Sequence, residues 1–186
     1  MSSALLDLEV RSRREKVRFD LVDATGRKIG EVHPERKCSI SNEATAQIKR
    51  KLTGFTLTPS DTAAVNPLTD RVRPYWVLDD GSEYALGVFL FAEASTARRS
   101  YGDRLTGTLV DQGLILAQEI DRTVGFDAGT SATSAIATVL EYAGFYGVTV
   151  AASTFELGSP VAWPAGQSGT TWAKVLDGLC AKAGAY

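Results

Sequence analysis

The feature that most constrains the fold of this chain is a turn sequence, Asp79-Asp80-Gly81, set between two apolar, aromatic-rich runs. Glycine tolerates the positive φ that tight turns require, so Asp-Gly between alternating hydrophobic residues predicts a β-hairpin, here from Arg71 to Phe91. Pro74 has no backbone N–H, which places the start of the first strand at a strand end or a sheet edge.

Apolar residues occupy both parities of the first strand of this hairpin. Tyr75 and Val77 lie on one parity, Trp76 and Leu78 on the other. Because successive side chains of a strand point to opposite faces, the strand is predicted to be buried on both faces or packed against another subunit. The alternation alone leaves open which of the two faces is outward.

The hairpin resembles the minor tail proteins that form the hub of the tail tip or baseplate in long-tailed bacteriophages. The resemblance lies in an Arg-Pro-x-Trp strand, an Asp-Gly turn and the sequence Glu-Tyr-x-Leu-Gly-x-Phe. It continues through Leu105–Leu116 and through two short turns that each lead into a helix, Phe126–Ser131 and Trp163–Ser168. The resemblance therefore covers the chain from about Gln47 to its end.

This resemblance implies a structural virion protein without enzymatic activity. It implies that the chain is a subunit of the hub, which joins the tail tube to the tip and through which DNA passes. The hub subunits would form a homotrimer and contact other tail proteins. Its location would be the virion tail, assembled in the host cytoplasm. In the family the second domain continues and the chain later returns to complete the first, so the second domain is expected to be cut short at Tyr186.

Residues before the main hairpin predict a second one. Val17–Val22 and Lys28–Val32 are short apolar runs, and Gly26 between them suits the positive-φ position of the turn. Ser41–Leu57 fits either a helix or a strand with a bulge at Gly54. The family resemblance favours the strand.

Composition changes after the strand predicted at Arg104–Asp111. Apolar residues recur at helical spacing in Thr133–Ala143 and in Thr171–Ala183, which predicts two amphipathic helices. Between them, Val148–Ala151 is predicted to be a strand and Gly158–Gly169 a loop. The turns before the two helices have similar four-residue sequences, Ala128–Ser131 and Ala165–Ser168. This similarity is too short to establish a repeat.

The pattern predicts an α+β protein of two domains. Residues 1–112 are predicted to form a β-rich domain, mostly antiparallel and either barrel-like or sandwich-like, and the resemblance implies that this is the ring-forming hub domain. Residues 113–186 form a small α/β domain with two helices.

Charge is distributed unevenly along the chain. Residues 1–51 carry 12 Lys and Arg against 8 Asp and Glu, a net +4, whereas the remainder carries −6. The basic portion has mixed charges and no interleaved aromatic platform, so specific nucleic-acid binding is not predicted, and an acidic subunit surface is the expected contact for its arginines. No run approaches the roughly eighteen apolar residues of a membrane span, so no membrane anchor is predicted.

No residue pattern predicts catalysis, a cofactor or a metal site. His33 is the single histidine and has no partners at ligand spacing, and Ser168 is interpreted as a helix cap. Asp79, Asp80 and Glu83 form an acidic cluster that is interpreted as a solvated turn. A calcium-binding loop would need further oxygen ligands at alternating positions, which this sequence does not supply. The two cysteines, Cys38 and Cys180, are interpreted as buried thiols.

The candidate functional surface is a subunit interface, because contacts between subunits tend to use sheet edges and aromatic side chains. An alternative is a host-surface or carbohydrate-binding tail module, with Trp163 or Trp172 stacking on sugars. A glycoside hydrolase is a third hypothesis. Core packing is expected for more than half of the aromatic residues. The candidate interface residues are Tyr75, Trp76, Tyr84, Phe89 and Phe91.

Overall fold

The computed structural model describes residues 16–43, 46, 48–98, 100–145 and 148–183. They divide into two compact units. Unit 1 takes in residues 16–23, Arg27–Ser41 and Lys51–Asp111, and unit 2 takes in Ala24–Gly26, Asn42–Arg50 and residues 112–183. The fold class is α+β, as predicted, with a large antiparallel sheet followed by helices and a small second sheet.

Eight strands form the large sheet. Their order is β2-β1-β5-β7-β8-β4-β3, with β6 pairing on β5. The pairs β1–β2, β1–β5, β4–β8, β5–β6, β5–β7 and β7–β8 are antiparallel. A one-turn helix, α1 (Pro59–Thr62), is capped by Thr58, whose side chain accepts a hydrogen bond from the Asp61 N–H. The strands are β1 (Lys16–Val22), β2 (Lys28–Val32), β3 (Ser39–Asn42), β4 (Arg50–Thr56), β5 (Arg71–Val77), β6 (Glu83–Ala85), β7 (Phe89–Ala97) and β8 (Arg104–Asp111).

Both predicted hairpins and the predicted bulge are confirmed. Gly26 and Gly81 have φ of 83° and 82° in their turns. Gly54 has φ of 75°, and the pairing of β4 with β8 shifts register between Leu52 and Phe55. The extra residue lets both Leu52 and Phe55 point into the core, where each is fully buried. The core of unit 1 comprises Leu21, Val32, Leu52, Phe55, Leu57, Val72, Phe89, Leu105 and Leu109.

Unit 2 contains three helices and a two-stranded sheet. The elements are α2 (Gly113–Leu116), β9 (Val124–Phe126), α3 (Ala132–Tyr142), β10 (Val161–Trp163) and α4 (Trp172–Ala183). The two long helices match the predicted ones within one residue at each end. Two predictions are wrong: residues 148–151 form no strand in the described structure, and the predicted loop Gly158–Gly169 contains β10.

The strand and long helix of each half of unit 2 follow one plan. We name residues 118–143 the first half and residues 155–183 the second half. Each half has a bridge residue, a three-residue strand, a turn with a positive-φ glycine and a long helix. β9 and β10 pair antiparallel about Gly125 and Ala162.

Reciprocal hydrogen bonds interlock the two halves. The N–H of Ile120 donates to the Thr170 carbonyl (3.0 Å), and the N–H of Leu157 donates to the Thr130 carbonyl (2.9 Å). Likewise, the N–H of Trp172 donates to the Gln118 carbonyl (3.1 Å), and that of Ala132 to the Phe155 carbonyl (2.9 Å). The start of each half thus pairs with the strand-to-helix junction of the other, which gives unit 2 a local pseudo-twofold symmetry. The four-residue sequence similarity between the two turns is therefore part of a structural repeat.

Candidate interface

The turn at Asp79–Gly81 sets the register of the candidate interface. The N–H of Leu78 donates to the Ser82 carbonyl at 2.9 Å, and the Asp80 carboxylate accepts from the Ser82 N–H at 2.8 Å. These bonds close the loop so that β6 folds back on β5. As a result, Trp76 lies directly opposite Tyr84.

An apolar row crosses three adjacent strands at this register. Val17 of β1 pairs with Trp76 of β5, which pairs with Tyr84 of β6. Their exposed fractions are 52%, 36% and 54%, high for residues that are this apolar. We call these three residues the exposed row. Sequence reasoning missed Val17, because only the pairing register shows that it lies beside Trp76.

The exposed row lies on the same side of the sheet as the core. In the same β1–β5 register, Phe19 pairs with Pro74 and Leu21 with Val72. Leu21 and Val72 are buried in the core, and side chains two residues apart share a face. Trp76 therefore has the parity of core residues but lies beyond the point where the core covers the sheet.

Tyr75 lies on the other face, under a network of charges. The Arg18 guanidinium stacks over its ring at 4.8 Å from the centroid and forms ion pairs with Glu83 and Asp20. Asp20 also accepts from Lys28 at 2.7 Å. Burial opposes ionisation of Asp20, but hydrogen bonds from Lys28 and Arg18 outweigh it and hold the pKa of Asp20 below its usual value. The hydrogen bond from Arg18 likewise lowers the pKa of Glu83. The network ties β6, β1 and β2 together.

Phe89 and Phe91 lie away from the exposed row. Phe89 is fully buried in the core of unit 1. Phe91 is half-buried and meets the Phe55 ring edge-on, with the centroids 5.9 Å apart. Both side chains thus serve the packing of unit 1. Of the five candidate residues, the structure brings Trp76 and Tyr84 together on an exposed surface, and contact with a partner there stays a prediction.

The other candidate residues occupy structural positions. The backbone N–H of His33 donates to the Asp61 carboxylate at 2.7 Å. Within the described ranges, no group of three or more His, Cys, Asp or Glu side chains is placed to hold a metal ion. Cys38 and Cys180 are free, partly buried thiols, and burial raises the pKa of Cys38.

Two predictions for unit 2 need correction. Ser168 does not cap α4: the helix begins at Trp172, and Thr171 accepts the hydrogen bond from the Lys174 N–H. Trp172 is only 4% exposed and belongs to the core of unit 2, so it offers no face to a sugar. Trp163 is partly buried and packs against the same core.

No helix in the described part of the chain is both long and apolar enough to cross a membrane.

Comparison with known proteins shows a likeness in fold. No protein-family model and no curated protein matches this chain. The fold is similar to the crystal structure of a tail protein from Neisseria meningitidis MC58, with a TM-score of 0.51 and 12% sequence identity. The likeness covers 89% of this chain but only 45% of the Neisseria protein. At this identity the likeness shows a shared fold, and this chain spans less than half the length of the protein it matches.

Proposed function

We propose that this chain is a structural subunit of a phage tail. The observation that carries the proposal is the fold shared with the Neisseria tail protein over 89% of the chain. The hairpin motifs, which resemble those of tail-hub proteins, support it independently of that comparison. A structural role also fits the charge network around Arg18, whose groups pair with one another across neighbouring strands.

The proposal extends to the place of the chain in the tail. Residues 1–112 form the ring-forming part of a tail-tip or baseplate hub, a homotrimer that joins the tail tube to the tip, contacts other tail proteins and lets DNA pass. Residues 113–186 form the adjoining small domain. The subunit acts without enzymatic activity, in a virion tail that is assembled in the host cytoplasm.

The exposed row supplies the proposed contact between subunits. A closed ring needs head-to-tail contacts, in which one surface of a subunit meets a different surface of the next. Tyr84 lies on β6, a three-residue strand that, among the described strands, pairs only with β5. Such a strand end is open to a neighbour, and tryptophan and tyrosine are enriched among residues that dominate binding energy.

A matched pair of tyrosine substitutions tests this contact. We expect Tyr84→Ser to leave thermal unfolding nearly unchanged, because the side chain is 54% exposed. Assembly should weaken by about 2 kcal/mol or more, which is about thirtyfold in the dissociation constant. Tyr101→Ser is the control, since Tyr101 is 64% exposed in unit 1 and lies outside the row.

The measurements are mass in solution against concentration and incorporation of each variant into infectious tails. Equal assembly of the two variants would remove the exposed row from the interface. Mass spectrometry of purified phage particles tests the broader role, because a chain found in the lysate but never in particles is not a tail subunit.

A further inference from the structure

A head-to-tail contact needs a second surface to meet the exposed row, and a strand edge of unit 1 offers one. β7 pairs with β8 from Phe89 to Ala97, but on its other side it pairs with β5 only at Phe89 and Leu90. Among the described strands, none pairs with β7 on that side beyond Leu90. Residues 92–97 are all exposed. We call residues 93–97 the β7 edge.

The hydrogen bonds of β8 show which backbone groups of the β7 edge point outward. The N–H of Leu105 donates to the Thr62 hydroxyl at 2.9 Å, and the carbonyl of Leu105 accepts from the Leu57 N–H at 2.8 Å. Both backbone groups of Leu105 therefore point away from β7, so Leu105 and its partner Thr96 form a non-hydrogen-bonded pair. The N–H and C=O of Thr96, and those of Ala94 two residues earlier, consequently point to the open side of β7.

The outer edge of β6 presents backbone groups with the same spacing. The N–H of Leu86 donates to the Pro74 carbonyl of β5 at 2.9 Å. Tyr84 has the parity of Leu86, so its own N–H and C=O also point to β5. The backbone groups of Glu83 and Ala85 therefore point away from β5, and all three residues of β6 are exposed. Each of the two edges thus offers two residues, two positions apart, whose N–H and C=O face outward.

The side chains of the two edges are compatible in one antiparallel register. The β7 edge has the sequence Glu-Ala-Ser-Thr-Ala, which lacks the lysine and proline that commonly guard a strand edge. When Glu83 is opposite Thr96, Tyr84 is opposite Ser95, a small residue that leaves room for the ring. The next residue on that face of the β7 strand is Arg98, which is 92% exposed and would lie diagonally across from Glu83. The register therefore opposes no like charges directly.

We propose that β6 of one subunit pairs antiparallel with the β7 edge of the next subunit. Glu83 pairs with Thr96 and Ala85 with Ala94, which gives about four backbone hydrogen bonds between subunits. The two edges are different surfaces of unit 1, so the contact is head-to-tail, as a closed ring requires. This inference rests on the proposed tail function, because it names the surface that the exposed row meets in the ring.

Cysteine cross-linking between copies tests the register. In a Cys38→Ser, Cys180→Ser background, Ala85→Cys and Ala94→Cys proteins are mixed and oxidised, and mass spectrometry identifies the linked peptides. A disulfide should form, because the Cα atoms of a hydrogen-bonded pair lie about 5.5 Å apart. Ala97→Cys is the matched control, an exposed alanine of the same strand about 10 Å farther along. We expect about tenfold more linked dimer with Ala94→Cys than with Ala97→Cys. Equal yields, or no linked dimer, would overturn the proposal.

A backbone substitution tests the same edge in assembly. Thr96→Pro removes an N–H that points outward, so the ladder between β7 and β8 stays intact, whereas the control Thr96→Ala keeps that N–H. The dissociation constant of assembly should rise about tenfold or more in Thr96→Pro and less than about twofold in Thr96→Ala. Equal assembly of the two variants, with both folded by circular dichroism, would overturn the proposal. Should Thr96→Pro fail to fold, the cross-linking yields decide the question.

The edge pairing and the tail function can fail separately. Suppose that mass spectrometry finds the chain in purified phage particles, but the Ala85→Cys and Ala94→Cys proteins do not link. The tail function then stands and the edge pairing is wrong. If the linked dimer forms but the chain is absent from the particles, the edge pairing stands and the tail function is wrong.

Discussion

The two halves of unit 2 share a backbone plan but fill their core with side chains of different size. The buried positions of α3 are Ala132, Ala135 and Val139, and those of α4, at the same spacing, are Trp172, Val175 and Leu179. Each position in α4 holds the larger residue. Reciprocal hydrogen bonds therefore fix the fold of both halves, while the volume that fills the shared core comes mainly from the second half.

The contact between the strand and the helix of the second half involves a position at which α4 holds the smaller residue. Trp163 of β10 lies against Gly178 of α4, where an added Cβ would stand 2.7 Å from the Trp163 Cζ2 atom. The residues at the corresponding positions of the first half are Phe126 and Thr138. In the second half, the large ring of Trp163 occupies space that a side chain at residue 178 would need.

The largest test of this comparison is truncation of Trp172. We expect Trp172→Ala to cost about 3–5 kcal/mol, because it removes a 4%-exposed ring and leaves a cavity. Ala132→Gly, at the corresponding position, should cost only about 0.5–1 kcal/mol, mainly through backbone entropy. Urea denaturation of the full chain, followed by the helical circular dichroism signal, measures both. Similar losses would mean that the unequal volumes have no energetic counterpart.

Local signals in the sequence account for the parts of the fold that were predicted correctly. The turns at Gly26 and Gly81 need a positive φ, which glycine adopts readily, and both glycines have one. The helices follow from apolar residues at helical spacing. These features depend on residues within a few positions of one another, so no tertiary information was required. The bulge at Gly54 is different, because the local pattern also allowed a helix and only the family resemblance favoured the strand.

The strand pairing of unit 2 depends instead on distant residues. β9 and β10 are three residues long and lie on either side of α3, so neither carries enough alternation to be recognised. The apolar run at residues 148–151 has alternation but no strand partner among the described residues. Strand formation depends on such partners more than on propensity.

The candidate interface was predictable only in part, for the same reason. The alternation of β5 separates Trp76 from Tyr75, but it does not say where the core ends. Aromatic character alone does not separate the core residue Phe89 from the exposed Tyr84. Only the register across β1, β5 and β6 assembles the exposed row.

A smaller effect is expected where the strand meets the helix. Gly178→Ala should gain about 1 kcal/mol of helix propensity but lose about 1–3 kcal/mol to the clash with Trp163, a net loss of up to about 2 kcal/mol. Thr138→Ala is the control in the first half and should stay within about 0.5 kcal/mol. Combining Gly178→Ala with Trp163→Phe, which copies the ring of the first half, should show a favourable coupling of about 1 kcal/mol. If the losses of the two single variants simply add in the double variant, the size of the ring at position 163 is not the reason for glycine at position 178.

The smallest expected difference concerns the first turn of each long helix. The Thr171 hydroxyl accepts a hydrogen bond from the Lys174 N–H at 3.4 Å, whereas Ser131 makes no side-chain cap bond to α3. Thr171→Ala should therefore cost about 0.5–1 kcal/mol, the lower part of the usual range because the bond is long. Ser131→Ala should cost less than about 0.3 kcal/mol, since no cap is lost. Hydrogen exchange of the Lys174 amide should accelerate in Thr171→Ala and recover in Thr171→Ser. Equal losses from the two alanine substitutions would show that the Thr171 hydroxyl adds no stability of its own. The backbone bridges, which Thr171 and Ser131 both make, would then account for the stability of both helix starts.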